Sequence, residues 1–377
     1  VSTPERVDPS DSSAFDAWFD VFSVADDDGR PYAVGLIRED LRVSLNRPDP
    51  YRAIELWALR DDAGEIAATM ILDVPLTDNT FRLGAGIAVR ADVRRQGFGR
   101  ALGRVLDDRA AALERTTLVT QVEVPLPPAI SWVNPPGGLL APEIPVGQRS
   151  TSRVDPRNAQ RVEGMTAGQS FAMALGFSAA NFEVHRVLEL PLASALLDEL
   201  SAKAAERHQG YVLRSWRDRC PDDLVDAFAA LQTTFVLEAP QGDLKVEAVQ
   251  WDAVRIRRAE ELNVAQGRKS WTTVAIAPDG TLAGHTELVM ISQDAGKVFQ
   301  WGTLVSPAHR GHRLGLGLKA HNHRELQRAY GEPSVVHTWN GEENTAMNAV
   351  NAQLGFRPVE RHEEWQKFLP AQTLASD

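Results

Sequence analysis

Two loops in this chain carry arginine and glycine in one pattern: Val89-Arg90-Ala91-Asp92-Val93-Arg94-Arg95-Gln96-Gly97-Phe98-Gly99-Arg100 and Val305-Ser306-Pro307-Ala308-His309-Arg310-Gly311-His312-Arg313-Leu314-Gly315-Leu316-Gly317. Glycines let a backbone approach a ligand with no Cβ in the way. Amide N–H groups at the start of a helix, at the positive end of its dipole, form an anion site. Arginines add charge-assisted hydrogen bonds to phosphate oxygens. The loops share a register, with Val305 and Arg310 standing where Val89 and Arg94 stand. The chemistry this predicts is the holding of a pyrophosphate. The spacing does not suit a dinucleotide fingerprint: neither loop reads G-x-G-x-x-G, and no acidic residue ends the next strand. Gly84-Ala85-Gly86 lies inside a strand pattern, and no Walker loop is present.

Such a loop needs a strand before it and a helix after it. In the first half, β-branched runs with turn punctuation predict strands at Ile54–Arg60, Ile66–Val74 and Phe81–Val89. Helical spacing follows at Phe98, Leu102, Val105, Leu106 and Ala110, then a strand at Thr117–Val124. The second half predicts strands at Trp271–Ile276, Leu282–Met290 and Val298–Val305, a helix over Leu314–Tyr330, and a strand at Ser334–Trp339. Each half then reaches a short helix ending in the same residues, Leu175-Gly176-Phe177 and Leu354-Gly355-Phe356. This is an internal duplication at domain scale. A proline-rich excursion at about 124–161 interrupts the first copy, with Pro125, Pro127, Pro128, Pro135, Pro136, Pro142 and Pro145, a composition unsuited to helix or central strand. The junction falls in the polar stretch Ser201–Gly210, which gives domains at 1–205 and 206–377.

Composition agrees with two globular domains in 377 residues: 43% hydrophobic, 24% charged and 7% aromatic. A formal charge of −11 argues against nucleic acid and anionic membrane as partners, and suits a cationic substrate such as an amine. The single cysteine, Cys220, excludes an internal disulfide framework and a cysteine-rich zinc site. No signal peptide or spanning apolar run is visible, so the expected compartment is the cytoplasm. His309, His312, His321 and His323 invite a metal reading. His321 and His323 point apart on a helix and no carboxylate completes the set, so no metal is expected.

Arg94-Arg95-Gln96-Gly97-Phe98-Gly99 resembles the Q/R-x-x-G-x-G/A signature of the GNAT acetyltransferase superfamily, in its tandem two-domain bacterial form. Arg310–Gly315 resembles it too, with Arg313 in place of the first glycine. The Leu-Gly-Phe endings resemble the close of a later family motif. Asn340-Gly341-Glu342-Glu343-Asn344, with Met347 and Asn351, resembles its asparagine-rich helix. The resemblance covers most of residues 50–177 and 270–358. It implies an α/β (α+β) fold of two GNAT domains, each a mixed, mostly antiparallel twisted sheet flanked by helices.

The implied activity is transfer of an acyl group, usually acetyl, from coenzyme A to an amine. Amides of both loops (Arg94, Arg95, Gln96, Gly97, Phe98, Gly99, Arg100 and Arg310, Gly311, His312, Arg313, Leu314, Gly315) would hold the pyrophosphate. Val89, Leu304 and Val305 end the strands that lead into them; Leu304 and Val305 would pair with the pantetheine arm. Asn340 and Asn344 would lie near the pantetheine and thiol. Family members often place a proton-donating tyrosine four residues before the final glycine; Ala172 and Asn351 stand there, and Asn351 can still hydrogen-bond a sulfur. The first copy has the better glycine loop but lacks the asparagines, so catalysis is expected in the second half.

For a base, Glu287 and His285 share one face of a strand by alternation, and Gln300 on the adjacent strand could position a water. His309 and His312 flank the loop, and Trp301 and Trp339 are core or line an acceptor pocket. Three readings stay open: N-acylation of a small-molecule amine, a coenzyme-A-binding regulator without turnover, and peptide or protein N-acetylation. The acceptor, the acyl chain and the oligomeric state are not legible.

Overall fold

A computed structural model describes residues 3–27, 29–126, 164–291 and 293–370. The first half runs β1 (Glu5–Arg6), α1 (Ser12–Asp27), α2 (Arg38–Leu45), β2 (Arg52–Arg60), β3 (Ile66–Pro75), β4 (Arg82–Val89), α3 (Phe98–Ala112), β5 (Thr117–Pro125), α4 (Ala167–Ala174), β6 (Ser178–Leu190) and α5 (Ser194–Ala205). The second repeats that order: β7 (Val212–Arg217), α6 (Val225–Glu238), α7 (Ala253–Ala265), β8 (Lys269–Ile276), β9 (Leu282–Ile291), β10 (Asp294–Val305), α8 (Leu314–Ala329), β11 (Ser334–Gly341), α9 (Thr345–Leu354) and β12 (Arg357–Phe368). The proline-rich excursion lies outside the described residues apart from its first few, which finish β5. The polar stretch at 201–210 begins inside α5, which buries Leu197, Leu200 and Ala204.

The strands form one sheet in the order β1-β2-β3-β4-β5-β12-β6-β11-β10-β9-β8-β7. Most neighbours are antiparallel; β4·β5 and β10·β11 are parallel. In the middle the halves exchange strands. β12 pairs with β5 from Glu360↔Pro125 to Phe368↔Thr117, and β6 pairs with β11 from Ser334↔Leu190 to Gly341↔Glu183. Each half's last strand therefore separates the other half's parallel strand from that half's own last strand.

Alternation along the strands divides the sheet into two faces. Met70 and Leu72 of β3 pack with Leu102 and Leu106 of α3, and Leu288 and Met290 of β9 pack with Leu316, Ala320 and Leu326 of α8. On the other face α1 buries Phe15, Trp18 and Phe19 against Leu56 and Ile66. There α6 and α7 bury Phe228 and Ile256 against Val274. The segments after α1 and α6 extend over the central strands. Arg30 reaches Glu360 of β12, while Asp243 N donates to Ala180 O of β6 and Lys245 N to Gln366 Oε1 of β12.

Because the central ladder is reciprocal, residues 1–205 and 206–377 expressed separately should each lack a cooperative thermal transition by circular dichroism. Co-expressed, they should purify together as one folded species. Independent two-state melting of each half would contradict the exchange as a stability requirement.

Candidate functional site

The parallel pairs open into clefts. β10 pairs with β11 over Lys297–Phe299 and Val335–His337, and beyond them Thr338 Oγ1 donates to Gln300 O at 3.2 Å. From there the strands diverge. A register shift between Gln300 and Thr303 on the β9 side marks a β-bulge, which bends β10 away. β4 and β5 pair over Arg82–Gly84 and Thr117–Val119 before diverging, but the β3·β4 register is continuous from Ala68↔Val89 to Asp73↔Gly84.

Each cleft ends at an arginine/glycine loop with two left-handed residues at matching positions. These are Arg95 (φ 68) and Gly97 (φ 96) in the first loop, Gly311 (φ 85) and Arg313 (φ 52) in the second. Glycine and arginine have traded places between the copies. A left-handed arginine costs about 1–2 kcal/mol. At Arg313 this is offset by hydrogen bonds to Lys203 O (2.7 Å) and Glu206 (2.9 Å). The departure from the glycine signature thus keeps the loop's shape. Arg94 Nε donates to Val89 O (3.2 Å) and Arg310 Nε to Val305 O (3.4 Å), while Arg310 also pairs with Glu238 (2.6 Å). These bonds brace the loops, which leaves the expected anion contacts to backbone amides. Gln96 and Arg100 are exposed, and nothing lies within 4 Å of a Cβ built on Gly97 or Gly311.

The floors of the clefts differ. In the first half the Phe171 ring comes within 2.9 Å of a Cβ built on Gly99, and Leu175 within 2.6 Å of one on Gly103. In the second half Gly315 has only Val305 and Val350 at 4.0 Å. Where Gly103 and Ala172 stand, the second half has Lys319 and Asn351, both buried. Lys319 Nζ donates to Asn351 Oδ1 (2.7 Å) and Asn351 Nδ2 to Asn340 Oδ1 (2.5 Å). Asn344 caps α9, accepting from Met347 N at 3.1 Å.

On the opposite face, Glu287 is half-buried, and burial together with the charge of Glu260 pushes its carboxyl up to about 7, against a hydrogen bond from Thr272. His285, buried against Phe228 and Phe235, is held down to about 4 by desolvation. Gln300, opposite Leu288, points the other way, where its Nε2 donates to Glu287 O (2.7 Å) and Thr286 Oγ1 (3.0 Å) and its Oε1 has no partner among the described residues, while Glu287 and His285 stay on the α6 face. The central strands add Glu123, Glu183, Glu360, His362 and Glu364 on this face, His185 on β6, and His337 and Trp339 on β11. Burial and Glu364 push Glu183 up, with His362 opposing. His362 faces Glu123 at 3.3 Å. Trp301 is 41% exposed beside Phe299, which stacks with Trp339.

No protein-family model and no curated protein matches this chain. Solved structures do. A tandem GNAT protein from the clavulanic acid biosynthesis pathway superposes with a TM-score of 0.70 at 24% identity, over 99% of both chains. A GCN5-related N-acetyltransferase from Sphaerobacter thermophilus gives 0.58 at 14% identity, over 99% of this chain and 98% of that one. A glucosamine N-acetyltransferase region of a fungal multi-domain β-N-acetylglucosaminidase gives 0.59 at 13% identity, over 97% of this chain and 38% of that one. The chain has a tandem GNAT fold. The expected mixed, mostly antiparallel sheet flanked by helices is present, joined across the two GNAT units into a single sheet.

Within this tandem GNAT fold the sequence-predicted residues fall in two groups. The loops, Leu304, Val305, Asn340 and Asn351 border the clefts; Glu287 lies on the side of the sheet that carries α6, and Gln300, opposite Leu288, on the side that carries α8. His309 meets Tyr211 Oη (3.0 Å), His312 Nδ1 donates to Arg207 O (3.1 Å), and His323 is buried. Among the described residues no three His, Cys, Asp or Glu side chains are grouped to hold a metal, and no helix is long and apolar enough to cross a membrane. Sequence reasoning missed Lys319 and the chain Arg30–Glu360–His185–His337. Glu360 accepts from Arg30 Nε (3.0 Å) and His185 Nδ1 (3.2 Å), so His185 Nε2 accepts from His337 Nδ1 (3.0 Å). Their signal was alternation in Glu360-Arg361-His362-Glu363-Glu364, where charge occupies both faces.

Burial opposes ionisation of Glu360, but the hydrogen bonds from His185 and Arg30 outweigh it and hold the carboxyl at about 2. A carboxyl depressed in the folded state contributes stability above its ordinary value of 4.5 and loses it as pH falls toward 2. Glu360→Gln, which removes the charge that Arg30 and His185 hydrogen-bond, should cost about 1.5–3 kcal/mol in urea unfolding at pH 7. It should also flatten the loss of stability between pH 4.5 and 2. An unchanged urea midpoint would contradict this role.

Proposed function

We propose that the protein is an acyl-CoA-dependent N-acyltransferase, moving an acetyl group to a primary amine of a small molecule, with turnover in the second half. The observation that carries this reading is the cleft between β10 and β11. Its wall is a strand edge relieved of its neighbour, its end is a loop with open backbone at Gly311, and its floor is an amide pair. These features fit an acyl-CoA: amides of Gly311–Gly315 for the pyrophosphate, the Leu304–Val305 edge for the pantetheine, Asn340 toward the sulfur end. Bound there, the cofactor supplies the activated acyl carbonyl.

The protein's own groups would do the rest. A face lined by Glu123, Glu183, Glu287 and Glu364 attracts an ammonium. An amine attacks only when deprotonated, and Glu287, raised to about 7, is the carboxylate best matched to take that proton near neutrality. Holding amine and acyl carbon together removes the need for a covalent enzyme intermediate. The closed floor beside Gly99 and Gly103 favours a packing role for the first half.

Acetyl-CoA with a panel of small amines should release thiol above the amine-free background. Tight coenzyme binding with no amine-dependent release would favour a regulator without turnover. Glu287→Gln should lower kcat/KM by roughly 10²–10⁴-fold. The wild-type profile should rise with pH through about 7, as the carboxyl ionises. A profile flat from pH 6 to 8 would remove Glu287 as the base.

Gly315→Leu, which fills the space between Val305 and Val350, should weaken acyl-CoA binding at least ~10-fold by calorimetry, a loss of about 1.4 kcal/mol. Unchanged affinity would move the coenzyme site out of the second half.

A further inference from the structure

Lys319 lies within α8, 1% exposed. A lysine in such a place is costly to bury without a charged partner. Among the described residues none pairs with it: Nζ donates to Asn351 Oδ1 and stands 5.3 Å from the Phe356 ring centre. The charged and titratable groups around it are Arg186 on β6 and His323 on α8, and Glu342 acts on Arg186. Burial first, and then Arg186, push the ammonium down to about 7.

Lys319 Nζ donates to Asn351 Oδ1, which turns the amide oxygen of Asn351 to the lysine. Its amide nitrogen then faces Asn340, which must present its own oxygen. The outer end of the chain is Asn340 Nδ2, and no described residue accepts from it. One buried lysine therefore fixes the orientation of two amides and makes the end toward the cleft a donor.

We propose that Lys319 is a positioning residue that holds the Asn351–Asn340 chain so that an N–H donor meets the sulfur end of an acyl-CoA in the β10/β11 cleft. This rests on the acyl-CoA reading above. Attack on the acyl carbon forms a C–N bond and breaks the C–S bond. The electron pair stays on sulfur, the amine proton passes to Glu287, and the thiolate later takes a proton from solvent. An N–H donor held in place by this chain favours the sulfur most as it becomes a thiolate. That is the need a tyrosine would meet where Asn351 stands.

The test compares Lys319→Met and Asn340→Leu with wild type, using calorimetry with coenzyme A and with desulfo-coenzyme A, and kinetics with acetyl-CoA. Both variants should bind coenzyme A at least ~5-fold more weakly, bind desulfo-coenzyme A as wild type does, and lose ~10-fold or more in kcat with the acetyl-CoA KM little changed. Lys319→Met should melt no lower than wild type, because an apolar side chain replaces a buried cation. Lys319→Gln, which keeps a donor for Asn351, should recover part of the loss. Coenzyme A affinity and kcat at wild-type level in Lys319→Met would overturn the proposal, as would equal losses toward desulfo-coenzyme A. Should Lys319→Met fail to fold, the half-exposed Asn340→Leu decides by the same criteria. A wild-type protein that binds neither coenzyme defeats the acyl-CoA reading itself, and this inference with it.

Discussion

The hydrogen-bond ladders that carry β12 to β5 and β6 to β11 constrain everything else in the molecule. A parallel strand that splays from its neighbour on one edge needs a firm partner on the other. In both halves that partner comes from the other half. Each cleft is thus held open by a strand that its own half does not encode. The central face is built in the same joint way: Glu360 and His362 arrive on β12, Glu183 and His185 on β6, and Arg30 from the segment after α1. A site on that face belongs to neither half alone, and the burial of the Arg30–Glu360–His185 group ties it to the integrity of the exchange.

Upon this shared frame the halves have diverged at their floors. Both loops keep two left-handed residues in matching places, which preserves backbone shape while glycine and arginine change places. Below the loops the chemistry parts. Small residues in the first half, Gly99 and Gly103, are covered by Phe171 and Leu175, which gives packing and no polar group. Lys319, Asn351 and Asn340 in the second half form a hydrogen-bonded polar line. A buried lysine without a counter-ion contributes little to stability, so its presence there is better explained by what it does to the amides than by what it does for the core.

Much of this was legible in the sequence. β2 to β5 and β8 to β11 alternate or run apolar between turn residues, and the helices after the loops keep a 3.6 period, so their placement followed from pattern alone. The duplication was legible because Leu-Gly-Phe ends the same element twice. β12 was not, since Glu360-Arg361-His362-Glu363-Glu364 puts charge on both faces; its glutamates are buried with Arg30, His185 and Gln169 from distant segments. Lys319 was hidden for a related reason: a lone lysine in a helix reads as a solvent-facing side chain, and its burial depends on α9 and Phe356. Arg313 looked like damage to a glycine signature. Its left-handed conformation and its bonds to α5 show a conserved backbone shape with a different residue.

The claim that the second half does the work is tested most directly by determining where an acyl-CoA binds in the whole protein. A structure of the complex with acetyl-CoA should place it between β10 and β11, pyrophosphate on the amides of Gly311–Gly315 and sulfur beside Asn340. Coenzyme found only between β4 and β5, against Gly97 and Phe98, with the β10/β11 cleft empty, would contradict the account.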